Sequence, residues 1–248
     1  SLVPAGISAP TIRLENVAFR YPEATASALE GLSLTIAPGE RVAVVGRVAS
    51  GKSSLGRILC GLYEPTEGSM LVNGIDSRQY RPHQLREALR FVGQDAALFS
   101  GTIKDNLSLG RREASDGQLI AALRSTGADQ FLSRDSGGFD RPVGEGGRTL
   151  SGGQRAFLSL ARALVSPSEL LFLDEPTGAM DTQTELYFIE HLKTAIAADQ
   201  TLVVATHRHN MLSIVDRLIV IDAGRIIADG PRDQVLGPLA AATKKEQA

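Results

Sequence analysis

Apolar and polar positions follow three regimes along the chain. Over the first eighty residues the pattern is strand-like. "TIRLENVAFRYP", from Thr11, alternates apolar and polar positions, and "LSLTIAPGE" repeats the pattern before a Pro-Gly turn. "RVAVV", residues 41–45, is a short β-branched run, the signature of a strand buried on both faces in a parallel sheet. "SMLVNG" predicts another strand closing on an Asn-Gly turn. Several strands before any strong helix predict an antiparallel patch at this end. Across roughly 82–165 the spacing becomes helical: "HQLREALRFV", "DGQLIAALRSTGADQFL" and "GGQRAFLSLARALV", separated by the glycine-rich "DSGGFD" and "GEGGR". The last third alternates. "LLFLD" predicts a strand, and "TQTELYFIEHLKTAIA" a helix with Leu186, Ile189, Leu192 and Ile196 on its apolar face. "TLVVAT" predicts a strand, and "RLIVIDAGRIIADG" a strand pair about an Ala-Gly turn. Strand and helix in alternation imply a parallel sheet flanked by helices, an α/β fold.

Residues 1–10, with Pro4, Gly6 and Pro10, are expected to form a loose linker, 11–237 a folded domain with a helical subdomain at about 95–165, and 238–248 a flexible tail. The 248 residues, 43% hydrophobic, suffice for a sizeable core. With 26 basic and 28 acidic residues, charge is nearly balanced, which argues against nucleic acid as a partner. A single cysteine, Cys60, excludes an intrachain disulfide. The apolar runs are far shorter than the ~18–20 residues of a membrane-spanning helix, and the first residues do not read as a signal peptide.

Chemistry concentrates in three stretches. "GRVASGKSS", Gly46–Ser54, fits the spacing G-x-x-x-x-G-K-[ST] between a predicted strand and a predicted helix. In such a loop (Gly46, Arg47, Val48, Ala49, Ser50, Gly51, Lys52, Ser53, Ser54) backbone N–H groups wrap phosphates. Lys52 reaches the outer phosphates, and the Ser53 hydroxyl can hold Mg²⁺. "LLFLDEPT" delivers Asp174 to the C-terminal edge of a strand, where open parallel sheets bind ligands, with Glu175 next to it. These two carboxylates are read as a metal ligand and a base for the attacking water. "LSGGQRAFLSLARAL" places Ser151, Gly152 and Gly153 before a second helix, with Ser151 as its cap: another potential anion site, or simply a capped helix.

These stretches, in this order, resemble the nucleotide-binding domains of ATP-binding-cassette transporters, from about Thr11 to about Gln234; Leu150–Gln154, "LSGGQ", is similar letter for letter to the family signature. The resemblance implies a P-loop ATPase core of RecA-like type, an N-terminal antiparallel β subdomain and an inserted helical subdomain. It implies ATP and Mg²⁺ as ligands, with Tyr21 stacking on adenine and Gln94 contacting Mg²⁺ and sensing the membrane partner. It gives Asp174 to the metal, makes Glu175 the general base, puts His207 on the γ-phosphate and sets Asp181 in a loop that crosses a dimer interface. Ser151, Gly152, Gly153 and Gln154 would act on the nucleotide of a second copy, in a head-to-tail homodimer around two ATP.

The family usually carries glycine where Ala49 stands. At φ > 0 an alanine there would cost about 1–2 kcal/mol; at negative φ it is harmless, and negative φ is the expectation. "GAMD" for the commoner "SALD" is a milder departure. "PVGEGGRTLSGGQ", with Glu145, and "LFSGTIKDNLSLG" resemble exporter segments. Gly61–Asp95 is most similar to bacterial type I secretion ATPases, which implies a site on the cytoplasmic face of the inner membrane and a membrane domain outside this chain. Periplasmic adaptor and outer-membrane channel partners would follow. The alternatives are a lipid or drug exporter, a soluble cassette ATPase, and a cassette that binds ATP without hydrolysing it.

Overall fold

The computed structural model describes residues 7–94, 97–109, 111–132 and 137–237. The expected tail, 238–248, lies outside the described residues, as do residues 1–6 of the expected linker. The strands are β1 (Ile12–Phe19), β2 (Leu29–Ile36), β3 (Arg41–Val45), β4 (Glu67–Val72), β5 (Ile75–Asp76), β6 (Leu89–Val92), β7 (Gly101–Thr102), β8 (Pro142–Val143), β9 (Leu170–Asp174), β10 (Thr201–Ala205), β11 (Arg217–Asp222) and β12 (Arg225–Pro231). The helices are α1 (Lys52–Leu59), α2 (Pro82–Ala88), α3 (Ile103–Ser108), α4 (Asp116–Thr126), α5 (Asp129–Leu132), α6 (Gly152–Leu164) and α7 (Thr182–Ala195). They divide into two compact units. One comprises the chain up to Phe91, Glu169–Asp174, and the chain from Ala198; the other comprises Val92–Ser168 and Glu175–Ala197.

The first unit holds two sheets. The N-terminal antiparallel sheet has the order β2-β1-β4-β5. β1 alternates buried and open positions, with register irregularities against both neighbours. The larger sheet runs β12-β11-β3-β10-β9-β6, with β11, β3, β10 and β9 parallel and β12 antiparallel at one edge. Every residue of β9 and β10 is buried, as near-continuous apolar runs in a doubly covered sheet require. α1 packs on β9 and β10 and sends Leu55, Ile58 and Leu59 into the core beside Phe172 and Val203. The lead-in expected to be loose is held over its described part. Ile7 packs on the core, the Ala9 N–H donates to Glu169 at 2.9 Å, and the Ser8 carbonyl accepts from Asn73 at 3.3 Å.

"HQLREALRFV" is not one helix. α2 ends at Ala88 and Leu89–Val92 forms β6, where Phe91 stacks on Phe172 with ring centroids 5.5 Å apart. Sheet pairing and aromatic packing outweigh a local period that fits a helix. In the second unit α6 packs against α3 and α4, and α4 also against α7. Phe157, Phe131, Tyr187 and Phe188 form its aromatic centre. The single helix expected over 116–132 is broken at Gly127, whose φ of 76° ends α4 before α5. On α7 the buried stripe is Glu185, Phe188, Ile189 and Leu192. Leu186 is 50% exposed, so it does not belong to that stripe, and Ile196 is buried just past the helix end.

Candidate nucleotide site

β3 sits between β10 and β11 and runs directly into the glycine loop, and α1 begins at Lys52. Gly46 is required by close approach: a Cβ there would lie 2.2 Å from the Ile221 carbonyl oxygen and 2.6 Å from Ser50 Oγ. Gly51 has φ 110°, and its Cβ would fall 2.8 Å from the Ala28 carbonyl oxygen. The loop closes through Ser50 N–H to the Arg47 carbonyl at 3.2 Å, leaving Arg47, Val48 and Ala49 exposed. Ala49 has φ 63°. The expectation of negative φ is thus corrected. The turn needs a left-handed residue, and alanine adopts that conformation against its own Cβ.

Lys52 is buried, and its Nζ donates at 2.9 Å to the carbonyls of both Gly46 and Arg47. Gly51 caps α1 without any side-chain hydrogen bond, so no capping side chain competes for the N–H groups of the first turn. Ser50 Oγ is buried without a hydrogen-bond partner among the described residues. An open cradle of N–H donors, a hydroxyl and an ammonium group is suited to an anion of phosphate shape.

The parallel register carries further groups to the same edge of the sheet. Val44 is level with Ala205, and Ala205 with Asp174. Two strand spacings therefore put the Asp174 Cα about 10 Å from that of Val44. Asp174 is 3% exposed at the last position of β9. Thr206 follows β10 and accepts from the Arg208 N–H at 3.0 Å, while the intervening His207 is exposed, as is His209. Tyr21 is half-buried, edge-on to Phe19 and Tyr63. Its hydroxyl pairs with Ser54 at 3.0 Å and accepts from Arg57 at 2.6 Å. Arg57 is a residue that sequence reasoning missed; nothing in the local pattern ties it to Tyr21.

The second unit holds the remaining residues. Ser151 caps α6: its Oγ accepts from the Gln154 N–H at 3.2 Å, and Gln154 Oε1 accepts from the Ser151 N–H at 2.9 Å. This is a capping box, and it leaves the Ser151 hydroxyl hydrogen free to donate. Gly152 and Gly153 form the first turn of α6. Asp181 caps α7 through the Thr184 N–H at 2.8 Å, and that hydrogen bond holds its carboxyl below the usual carboxylate range. Gln94 and Glu145 are exposed, Glu145 in an ion pair with Arg148. Glu175 has φ 48°, in the left-handed region like Ala49. Sequence reading also missed Glu185, buried on the apolar stripe of α7, where it accepts from Thr177 at 2.9 Å. An acid inside an apolar stripe was the available signal.

Residues 29–178 match the ABC transporter family. The chain belongs to the ABC transporter family. Within the ABC transporters it is the ATPase domain, of mixed α/β architecture. It is 39% identical over 236 residues, 95% of this chain, to an ATP-dependent lipid A-core flippase of Chromohalobacter salexigens, and covers 40% of that protein. It is 40% identical over 225 residues, 91% of this chain, to a multidrug efflux ATP-binding/permease protein of Mycobacterium bovis, and covers 19% of it. Among solved structures, a bacterial Atm1-family ABC exporter with ATP bound matches with TM-score 0.88 at 34% identity, over all of this chain and 44% of that one. The chain thus spans less than half the length of these relatives. No helix among the described residues is long and apolar enough to cross a membrane.

The donor set fits the magnesium ion that accompanies ATP in this family. Ser53 and Asp174 offer hard oxygen donors, and no cluster of three His, Cys, Asp or Glu exists among the described residues to cage an ion alone. Mg²⁺ is suited to few protein ligands, completed by nucleotide phosphates and water.

Proposed function

We propose that this chain is the motor domain of a membrane exporter that moves an amphipathic, lipid- or drug-like substrate. The observation that supports it best is the phosphate cradle at the end of β3, with Lys52 inside it and Asp174 level with it on the same sheet edge. The names of the relatives, a lipid A-core flippase and a multidrug efflux protein, favour the lipid and drug exporters over type I secretion. With no support for secretion, adaptor and outer-membrane partners drop out of the proposal. The membrane-spanning partner lies outside this chain, and the domain works at the cytoplasmic face of the membrane.

In this reading Tyr21 binds the base, and the loop Gly46–Ser54 holds the phosphates. Glu175 holds the attacking water and accepts its proton. Lys52, His207 and the signature residues Ser151, Gly152, Gly153 and Gln154 of a second copy stabilise charge on the transferring phosphoryl group. Ser53, Asp174 and Gln94 would hold Mg²⁺, which would supply charge neutralisation at the phosphate oxygens. Asp181 lies at the interface of the two copies, and Gln94 and Glu145 face the membrane partner.

The test is the ATPase rate per domain against protein concentration in Mg-ATP. Turnover on the order of 1 s⁻¹, rising with concentration, is expected of a site completed by a second copy. A rate independent of concentration would refute the shared site, and ATP binding without hydrolysis would refute the motor reading. For substrate class, the full-length protein in vesicles should be stimulated by amphipathic lipids or drugs and not by an unfolded polypeptide.

A further inference from the structure

We propose that Glu185 is a positioning residue that sets the conformation of Glu175 by gripping the hydroxyl of Thr177. A non-glycine residue at φ 48°, followed by Pro176, keeps that backbone only where its surroundings over-determine it. The supports are on both sides of Thr177. The Gly178 N–H donates to the Glu175 carbonyl at 3.1 Å, and the Met180 N–H to the Thr177 carbonyl at 3.0 Å. Both bonds are local to the turn. The Thr177–Glu185 bond joins that turn to α7. Thr177 is fully buried, Glu185 is 1% exposed, and their oxygens are 2.9 Å apart. Glu185 stands one turn into α7, its N–H bonded to the Asp181 carbonyl at 2.9 Å. The same short segment, 175–185, thus carries Glu175 at one end, the α7 cap Asp181 within it and the buried Glu185 at the other end. A charge-assisted bond in a buried place is the strongest tie such a loop can have.

The inference rests on Glu175 acting as the base, so its test separates the two. Thr177→Val keeps the shape and removes the hydroxyl, whereas Thr177→Ser keeps the hydroxyl. The measurements are kcat and KM for Mg-ATP, with the thermal transition of each variant as the check on folding. Loss of a hydrogen bond to a charged group should lower kcat in Thr177→Val by about tenfold or more. The KM for ATP should stay within about twofold, since the phosphate loop is untouched. Thr177→Ser should restore kcat. In a Glu175→Gln background Thr177→Val should have no further effect, because there is no base left to position. An unchanged kcat in Thr177→Val overturns the proposal. So does the same fold-loss of residual turnover in the Glu175→Gln background, which would mark a merely structural role. If Thr177→Val does not fold, a Thr177→Ser variant with low kcat overturns it as well. An unmutated chain that hydrolyses no ATP overturns the motor reading itself.

Discussion

Ala49→Gly tests whether the strain in the phosphate loop falls on folding or on binding. Ala49 holds φ 63° in the loop between β3 and α1. A left-handed alanine costs about 1–2 kcal/mol. Glycine removes that cost but brings an unfolded-state entropy penalty of about 0.4–1 kcal/mol. The difference is a net gain of about 0.5–1 kcal/mol. For a chain of this length the melting midpoint should rise by about 1–4 °C. If the loop keeps this backbone with and without ATP, the strain cancels from the binding equilibrium. Nucleotide affinity should therefore change by less than about tenfold, or 1.4 kcal/mol. The assay pairs thermal melting without nucleotide with titration of a fluorescent ATP analogue. A gain in affinity beyond tenfold with an unchanged midpoint would refute the reasoning, since the loop would then be changing its backbone on binding.

Other outcomes follow from the same physics. Cys60 is fully buried and burial pushes its thiol up, so alkylation by iodoacetamide should track unfolding; rapid labelling of the native chain would contradict the packing of α1. Asp181 has its carboxyl held low by the Thr184 N–H, so its contribution is fully present above about pH 4 and is lost as pH falls through the lowered value. Asp181→Asn should remove that acid limb from the stability profile, and an identical profile would refute the cap. Ser151→Ala should lose about 1 kcal/mol of stability while Ser151→Gly loses only a few tenths; equal losses would mean the cap is not what holds the start of α6. Glu175→Gln should accumulate an ATP-bound dimer, seen by size-exclusion chromatography with ATP; unchanged turnover would remove Glu175 from the role of base.

Much of this was legible because local signals and packing agree. "RVAVV" is too short and β-branched for a helix, and it became the central β3 that carries the phosphate loop. The S-x-x-Q spacing from Ser151 to Gln154 is a capping box in sequence and in space. The errors came where tertiary contacts decide. Leu85, Ala88, Leu89 and Val92 fit a helical period, yet the last two belong to β6 because pairing in the sheet holds them. Ala49 hid its own conformation: an alanine is evidence against positive φ, yet it stands at φ 63°. Arg57 could not be tied to Tyr21, because 36 residues separate them and only the fold of α1 against the N-terminal sheet joins their side chains.

The two carbonyls that Lys52 holds change what its replacement would mean. Its ammonium serves the oxygens of Gly46 and Arg47, an internal brace across a turn that the Ser50 N–H also closes on Arg47. A phosphate that draws this ammonium must draw it from peptide acceptors, so the contact is an exchange and not the capture of an idle cation. The affinity lost on truncating Lys52 would combine a missing phosphate contact with an empty loop that has lost its template. A variant at 52 is accordingly a poor gauge of how strongly lysine grips phosphate. The same brace means that part of the loop's shape is set by its own lysine, and replacing that lysine alters the receptor as well as the grip.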